Sequence, residues 1–390
     1  MNHLLSKIGS YPFEKLNVLL RDIKSSKELI NLSIGEPKLN ADSRVLDILK
    51  KETISFSNYP PINAIPELSE AYRHYLKSHF GIENVAEDEV CLVAGTREGT
   101  FSIIQALFNK ENTKDKPYVV MPNPFYQIYG GATTLAGGEA KFLDCPEEDN
   151  FQPDLDSLKS EDWKKCQILV LCSPNNPTGS VLPLSKLKEI LDLAEKYDFY
   201  VVSDECYVDL YTSEKSCPSI LQASSDRSDR SDRLVALHSL SKRSNLPGFR
   251  SGFACSGKKT ISAYKKFRSF HGVSVPLPIQ KASVEAWLNY DFVAENRKSY
   301  KDKFSLAADT FKDKVRNVIP EGAFYLWLDV KDGESFSKIV LEKEGLIVLP
   351  GSYLSAEVNG FNPGEKYVRI ALVYDFETTE EALKRINHLL

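Results

Sequence analysis

The sequence predicts an α/β protein: a large domain with a mainly parallel sheet flanked by helices, plus a smaller α+β domain drawn from both termini. Three observations carry this. Short, nearly continuous apolar runs recur through the middle of the chain, as strands buried on both faces require. Helical stretches separate these runs, and a helix between successive strands implies parallel neighbours. The C-terminal part then changes pattern, to a charged helical segment followed by short strands.

In chain order, residues 12–24 (PFEKLNVLLRDIK) alternate apolar and charged residues at roughly helical spacing and read as an amphipathic helix. NLSIGEP (31–37) is a short apolar run broken by Gly35 and Pro37. The buried-strand runs are YVVM (118–121), ILVLCS (168–173), FYVVSDE (199–205), LVALHSLS (234–241) and SGFACS (251–256). Residues 293–316 are charged and helical in pattern, and GAFYLWLDV, GLIVLP and KYVRIALV read as strands of the smaller lobe. The expected division is 1–40 as the N-terminal part of the small domain, 41–289 as the large domain and 290–390 as the C-terminal part of the small domain. SDRSDRSDR (225–233) is a tandem triplet that resists burial and reads as a solvated loop expanded by duplication.

Composition narrows the class. With 49 basic and 54 acidic side chains the net charge is −5, which leaves no electrostatic footprint for nucleic acid. The seven cysteines are scattered and form no C-x-x-C pair, so neither a disulfide framework nor a metal site is expected, and a reducing compartment fits. The N-terminus has no apolar core followed by a small-residue cleavage site, and no run approaches the length of a membrane span. Cytoplasmic placement is the expectation.

In an open α/β sheet, ligands bind beyond the carboxyl ends of the strands. Three of the strand runs end in reactive polar groups: SPNNPTG (173–179), DECY (204–207) and SLSK (239–242). Pyridoxal 5′-phosphate chemistry needs these groups. Its aldehyde must be held by an amine that later moves a proton, the part given to Lys242. Its ring nitrogen must stay protonated beside a carboxylate, the part of Asp204. Tyr207 and the Asn176 amide can donate to the ring oxygen. Ser239, Ser241 and Arg250 surround the lysine as phosphate ligands, with Thr96 and Arg97 at a helix N-terminus supplying further donors. Tyr126 offers an aromatic face, and Arg369 a bidentate partner for a substrate carboxylate. Singly, each has a plainer reading: a surface lysine, a helix-capping aspartate, a core tyrosine, a solvated arginine. Order and joint spacing argue for the shared site.

The segments LSIGEP, NYPPINAIPEL, SPNNPTG, DECY, SLSKRSNLPGFR and YVRIAL together resemble the fold-type I, class I/II pyridoxal-phosphate aminotransferases, over nearly the whole chain. The resemblance implies that Gly35 and Arg369 contact substrate and that Asn176 touches both cofactor and substrate. It further implies that Tyr59 reaches the phosphate of a neighbouring subunit, hence a homodimer with shared active sites. Ala64, where relatives carry glycine, and the SDR triplets depart from the pattern. The strings YPFEKL, GTRE, PNPFYQIY, CSPNNPTGSVL, HSLSKRSNLPGFRSGF and VLPGSYL are similar to the N-succinyldiaminopimelate aminotransferase subgroup. That likeness implies transfer between N-succinyl-LL-2,6-diaminopimelate and 2-oxoglutarate, in diaminopimelate and lysine synthesis. Arg243 is a candidate for the succinyl arm, alongside a solvated or phosphate-side role. The same apparatus also serves other α-amino acid aminotransferases, of aspartate or alanine type, and β-elimination C–S lyases. An aminotransferase-like transcription regulator would need a DNA-binding domain ahead of the fold, and only about 40 residues precede the expected large domain.

Overall fold

The computed structural model describes residues 1–111, 116–224, 232–312, 314–315 and 318–390. Most of the SDR triplet segment lies outside the described residues. Its last two residues are described: Asp232 Oδ1 accepts from the Lys259 N–H at 3.0 Å, and Arg233 pairs with Asp198.

Twelve strands are described: β1 (Ile30–Asn31), β2 (Val90–Val93), β3 (Tyr118–Asn123), β4 (Glu139–Asp144), β5 (Cys166–Cys172), β6 (Tyr200–Asp204), β7 (Leu234–Ser239), β8 (Gly252–Ser256), β9 (Tyr325–Asp329), β10 (Leu346–Ile347), β11 (Leu349–Pro350) and β12 (Tyr367–Ala371). Seven form the main sheet in the order β2-β8-β7-β6-β5-β3-β4. Strands β4, β3, β5, β6 and β7 pair in parallel, and β8 runs antiparallel to both β7 and β2. The apolar runs are long and unbroken because both faces of this sheet are covered. Val119, Met121, Ile168, Val170, Val202 and Leu237 pack to one side with Ile103 and Tyr264; Val120, Leu169, Leu171, Val201 and Ala236 pack to the other with Leu187, Tyr72 and Trp287.

A three-stranded antiparallel sheet, β11-β12-β9, forms a second unit, and β1 pairs in parallel with β10. Through that pair an N-terminal segment joins strands more than 300 residues further along. Among the described residues no helix is long and apolar enough to cross a membrane.

Several boundaries differ from the expected ones. The first amphipathic helix spans Pro12–Leu20 and stops short of residue 24. The charged segment is helical over Tyr290–Phe311. The run LVALHSLS ends as a strand at Ser239, because the Ser239 hydroxyl caps a four-residue helix, Leu240–Arg243, accepting from the Ser241 N–H at 3.1 Å. Strands β2 and β4 were not anticipated. The first has four residues, and the second, EAKFLD, lies at the sheet edge with its Glu139 and Asp144 exposed, so neither shows a long apolar run.

Candidate functional site

A cavity of about 550 Å³ opens at the carboxyl ends of β5, β6 and β7, where loops from both sheets meet. Eleven of the residues singled out in the sequence line it: Gly35, Thr96, Arg97, Tyr126, Asn176, Asp204, Tyr207, Ser241, Lys242, Arg250 and Arg369. Ser239 does not; it is buried behind the turn, with its hydroxyl 2.8 Å from that of Ser241. Tyr59 is fully exposed and also does not line the cavity.

Lys242 projects from the short helix after β7, and its Nζ donates to the Gly35 carbonyl at 2.6 Å. Burial pushes the amine down to about 8, with Arg369 and Arg250 assisting and Cys206 and Glu36 opposing. A lysine in that range exchanges protons near neutrality. Asp204 ends β6 and is 3% exposed. Tyr129 Oη donates to its Oδ2 at 3.1 Å and the Cys206 N–H to its Oδ1 at 3.3 Å. Burial raises the carboxyl above its ordinary value, because these neutral donors do not offset the lost hydration. Such a carboxylate is held ready for a cationic partner.

Arg369, in the middle of β12, is buried and donates through Nη1 to Asn176 Oδ1 at 2.9 Å and through Nη2 to the Ser33 carbonyl at 2.5 Å. Its Nε has no hydrogen-bond partner among the described residues. The Tyr325 ring lies 4.4 Å from the guanidinium carbon, and Tyr325 Oη is 2.8 Å from Tyr207 Oη. Elsewhere in the lining, Thr96 and Arg97 open the helix Thr96–Leu107 after Gly95. Arg250 reaches across, donating to the Ala94 and Pro247 carbonyls at 2.8 Å. Gly95 is required here: its φ is +78°, and a Cβ would lie 2.6 Å from Arg250 Nη2. The site therefore presents an amine, a buried carboxylate, and arginines anchored to different segments, Arg369 to Asn176 and Ser33, and Arg250 to Ala94 and Pro247.

Some lining residues escaped the sequence reading. Tyr129 lies three residues after Tyr126 and donates its N–H to the Tyr126 carbonyl at 3.0 Å, and across that turn the two rings meet edge to face at 5.7 Å. Tyr325 sits on β9, one residue after Phe324. Tyr11 and Phe13 come from the N-terminal YPFEKL, with Arg97 5.5 Å above the Tyr11 ring. Arg243 corrects an expectation. It lies outside the cavity, 1% exposed, with Nε 3.0 Å from Asp209 Oδ2 and its guanidinium over the Tyr75 and Trp287 rings. It is neither solvated nor placed to meet a phosphate or a succinyl arm, because adjacent residues on one helical turn point about 100° apart and Lys242 faces the cavity.

Residues 27–386 match the family described as aminotransferase class I and II. An LL-diaminopimelate aminotransferase of Natranaerobius thermophilus is 28% identical over 393 residues, covering 98% of both chains. An aspartate aminotransferase of Pyrococcus horikoshii is 29% identical, covering 96% of this chain and 94% of that one. The crystal structure of an aminotransferase from Neisseria meningitidis superposes with a TM-score of 0.95 at 38% identity, covering all of both chains.

Proposed function

The chain belongs to the class I and II aminotransferases, which use pyridoxal phosphate, and from that premise we propose that it transfers the amino group of N-succinyl-LL-2,6-diaminopimelate to 2-oxoglutarate. The observation that carries the chemistry is the convergence of Lys242, Asp204 and Arg369 on one cavity. The cofactor fits the donor set: an amine of lowered pKa suits its aldehyde, and a buried carboxylate with neutral neighbours suits its ring nitrogen. When bound, it withdraws electrons from the substrate carbon that loses a proton.

The chain supplies the rest. Lys242 Nζ would take the proton from the donor's α-carbon and deliver it to the cofactor's former aldehyde carbon, and would run the same transfer in reverse to place a proton on the acceptor's α-carbon. Asp204 would keep the ring nitrogen protonated, and Tyr207 and Asn176 would donate to the ring oxygen. Tyr126 would cover the ring face. Thr96, Arg97, Ser241 and Arg250, with Ser239 bracing the turn, would hold the phosphate, and Tyr59 would complete that set from a second subunit of a homodimer. Arg369 fixes the α-carboxylate through Nη and Nε donors, and the Gly35 backbone borders the same carboxylate. The loop around Gly35 and the strand bearing Arg369 belong to the lobe formed by residues 1–40 and 290–390, which closes against the large domain, 41–289. The pairing of β1 with β10 supports that division.

The succinylated substrate rests on the sequence segments similar to that subgroup. A second reading, free LL-diaminopimelate or aspartate as donor, is favoured by the names of the relatives. An amino-donor panel with 2-oxoglutarate, scored by glutamate formation, separates these. The succinylated donor should exceed free diaminopimelate and aspartate at least tenfold in kcat/KM. A reversed order overturns the substrate assignment, and release of pyruvate, ammonia and a thiol from a cysteine thioether added to the panel, in the absence of any keto acid, would make the protein a C–S lyase.

A further inference from the structure

Behind the cavity wall lies a charged pair that the reaction itself does not use. Arg243 directly follows Lys242, and Asp209 stands two residues after Tyr207 and five after Asp204. Both are buried, at 1% and 4% exposure. Arg243 Nε lies 3.0 Å from Asp209 Oδ2, which also accepts from Tyr75 Oη at 3.0 Å, and His79 Nε2 is 3.6 Å from Asp209 Oδ1. The guanidinium lies against the adjoining rings of Tyr75 and Trp287, with ring centroids 4.5 and 4.9 Å away, and Nη1 donates to the Ala286 and Trp287 carbonyls. Asn296 adds a second tie, its Nδ2 donating at 3.2 Å to the carbonyls of both Lys242 and Arg243.

We propose that Asp209 and Arg243 are positioning residues: their ion pair is a strut that sets the lysine-bearing turn against the Asp204–Tyr207 segment. A buried ion pair adds little net stability over an apolar pair of the same volume, so its use lies in geometry. The strut joins the two segments that must hold one reacting group at fixed separation, and each end is one or two residues from the side chain it places. Small displacements of reacting groups are costly in rate. Burial works to raise the Asp209 carboxyl, yet Arg243 holds it below its ordinary value, so the pair stays charged. This inference rests on the functional reading above, and its test is arranged to fail separately.

The experiment uses Asp209→Asn, which keeps shape but removes the charge, and Tyr75→Phe, a near volume-conserving change that removes one hydrogen bond to Asp209. Two quantities are read: kcat and KM of the cofactor-loaded enzyme, and, in cofactor-free protein, the pH at which Lys242 is half-reactive toward an acylating reagent, by peptide mass spectrometry. Loss of the strut lets the half-buried amine move further into water and away from Arg369 and Arg250, so its midpoint rises from about 8 toward the ordinary lysine value. Asp209→Asn should raise that midpoint by half a unit or more and lower kcat about tenfold or more, with KM for the donor nearly unchanged. Tyr75→Phe should move both in the same direction by a smaller step, and it decides the matter if Asp209→Asn does not fold. A wild-type midpoint and kcat in the deciding variant, even with a lowered melting temperature, overturns the proposal and leaves a merely structural pair. Wild-type protein that transfers no amino group ends the functional reading instead, while the cofactor-free midpoint still tests the strut.

Discussion

Single residues carry the chemistry because three environments differ sharply within one cavity. Lys242 is half-buried with its amine pushed down to about 8, Asp204 is buried among neutral donors, and Arg369 keeps its Nε unmatched among the described residues. Lys242→Ala should therefore bind pyridoxal phosphate without a covalent link and lose at least ~10³-fold in kcat, since it removes the proton carrier. Absorbance after borohydride treatment checks the first part and stopped assays the second; near-normal turnover would sink the assignment. Arg369→Lys keeps the charge but loses the planar fork, a loss of about 2 kcal/mol or roughly thirtyfold, expected in KM for the donor. Equal KM values would remove Arg369 from the carboxylate site. Those residues were legible in the sequence because each ends or interrupts an apolar run where nothing in a sheet calls for a reactive group. Tyr129, Tyr325 and the Asp209–Arg243 pair were not. Their side chains sit within segments whose apolar character already explained an aromatic, and pairing across 34 residues leaves no local signature.

At the scale of elements, strand ends and helix starts deliver those side chains to one edge. Strands β5, β6 and β7 are adjacent and parallel, so the residues after them emerge side by side. The buried runs made these central strands readable; β2 and β4, short or at an edge, carried too little apolar length to stand out. Gly95 shows how a turn constrains its neighbours. Gly95→Ala places a side chain at φ +78° and drives its Cβ against Arg250, costing about 1–3 kcal/mol in backbone strain alone. The variant should fold, yet release cofactor roughly ten times more readily in an equilibrium dialysis assay. Unaltered retention would show that Arg250 holds no phosphate.

At the scale of the molecule, β1 and β10 bring together regions that lie at opposite ends of the sequence. The change of pattern near residue 290 signalled a second unit, but the partner of a two-residue strand cannot be read from composition, because two residues have no period. The proposed dimer with shared sites makes a further prediction. Tyr59→Ala and Lys242→Ala subunits, each defective alone, should regain up to about half of wild-type activity per hybrid when co-expressed, since one of two sites then has both intact side chains. No recovery in purified hybrids would place Tyr59 outside the neighbour's site.

The segment after β1 has one more consequence. Its Ser33 and Gly35 carbonyls each occupy a cation, Arg369 and Lys242, that substrate and cofactor would claim. Ligand arrival thus evicts the protein's own backbone from its anchor points, and part of the gross affinity goes to freeing that stretch. Occupancy should be audible there: amide hydrogen exchange at residues 33–36 should change more on cofactor and substrate addition than at β5, and a segment that stays silent would mean the two tethers survive loading.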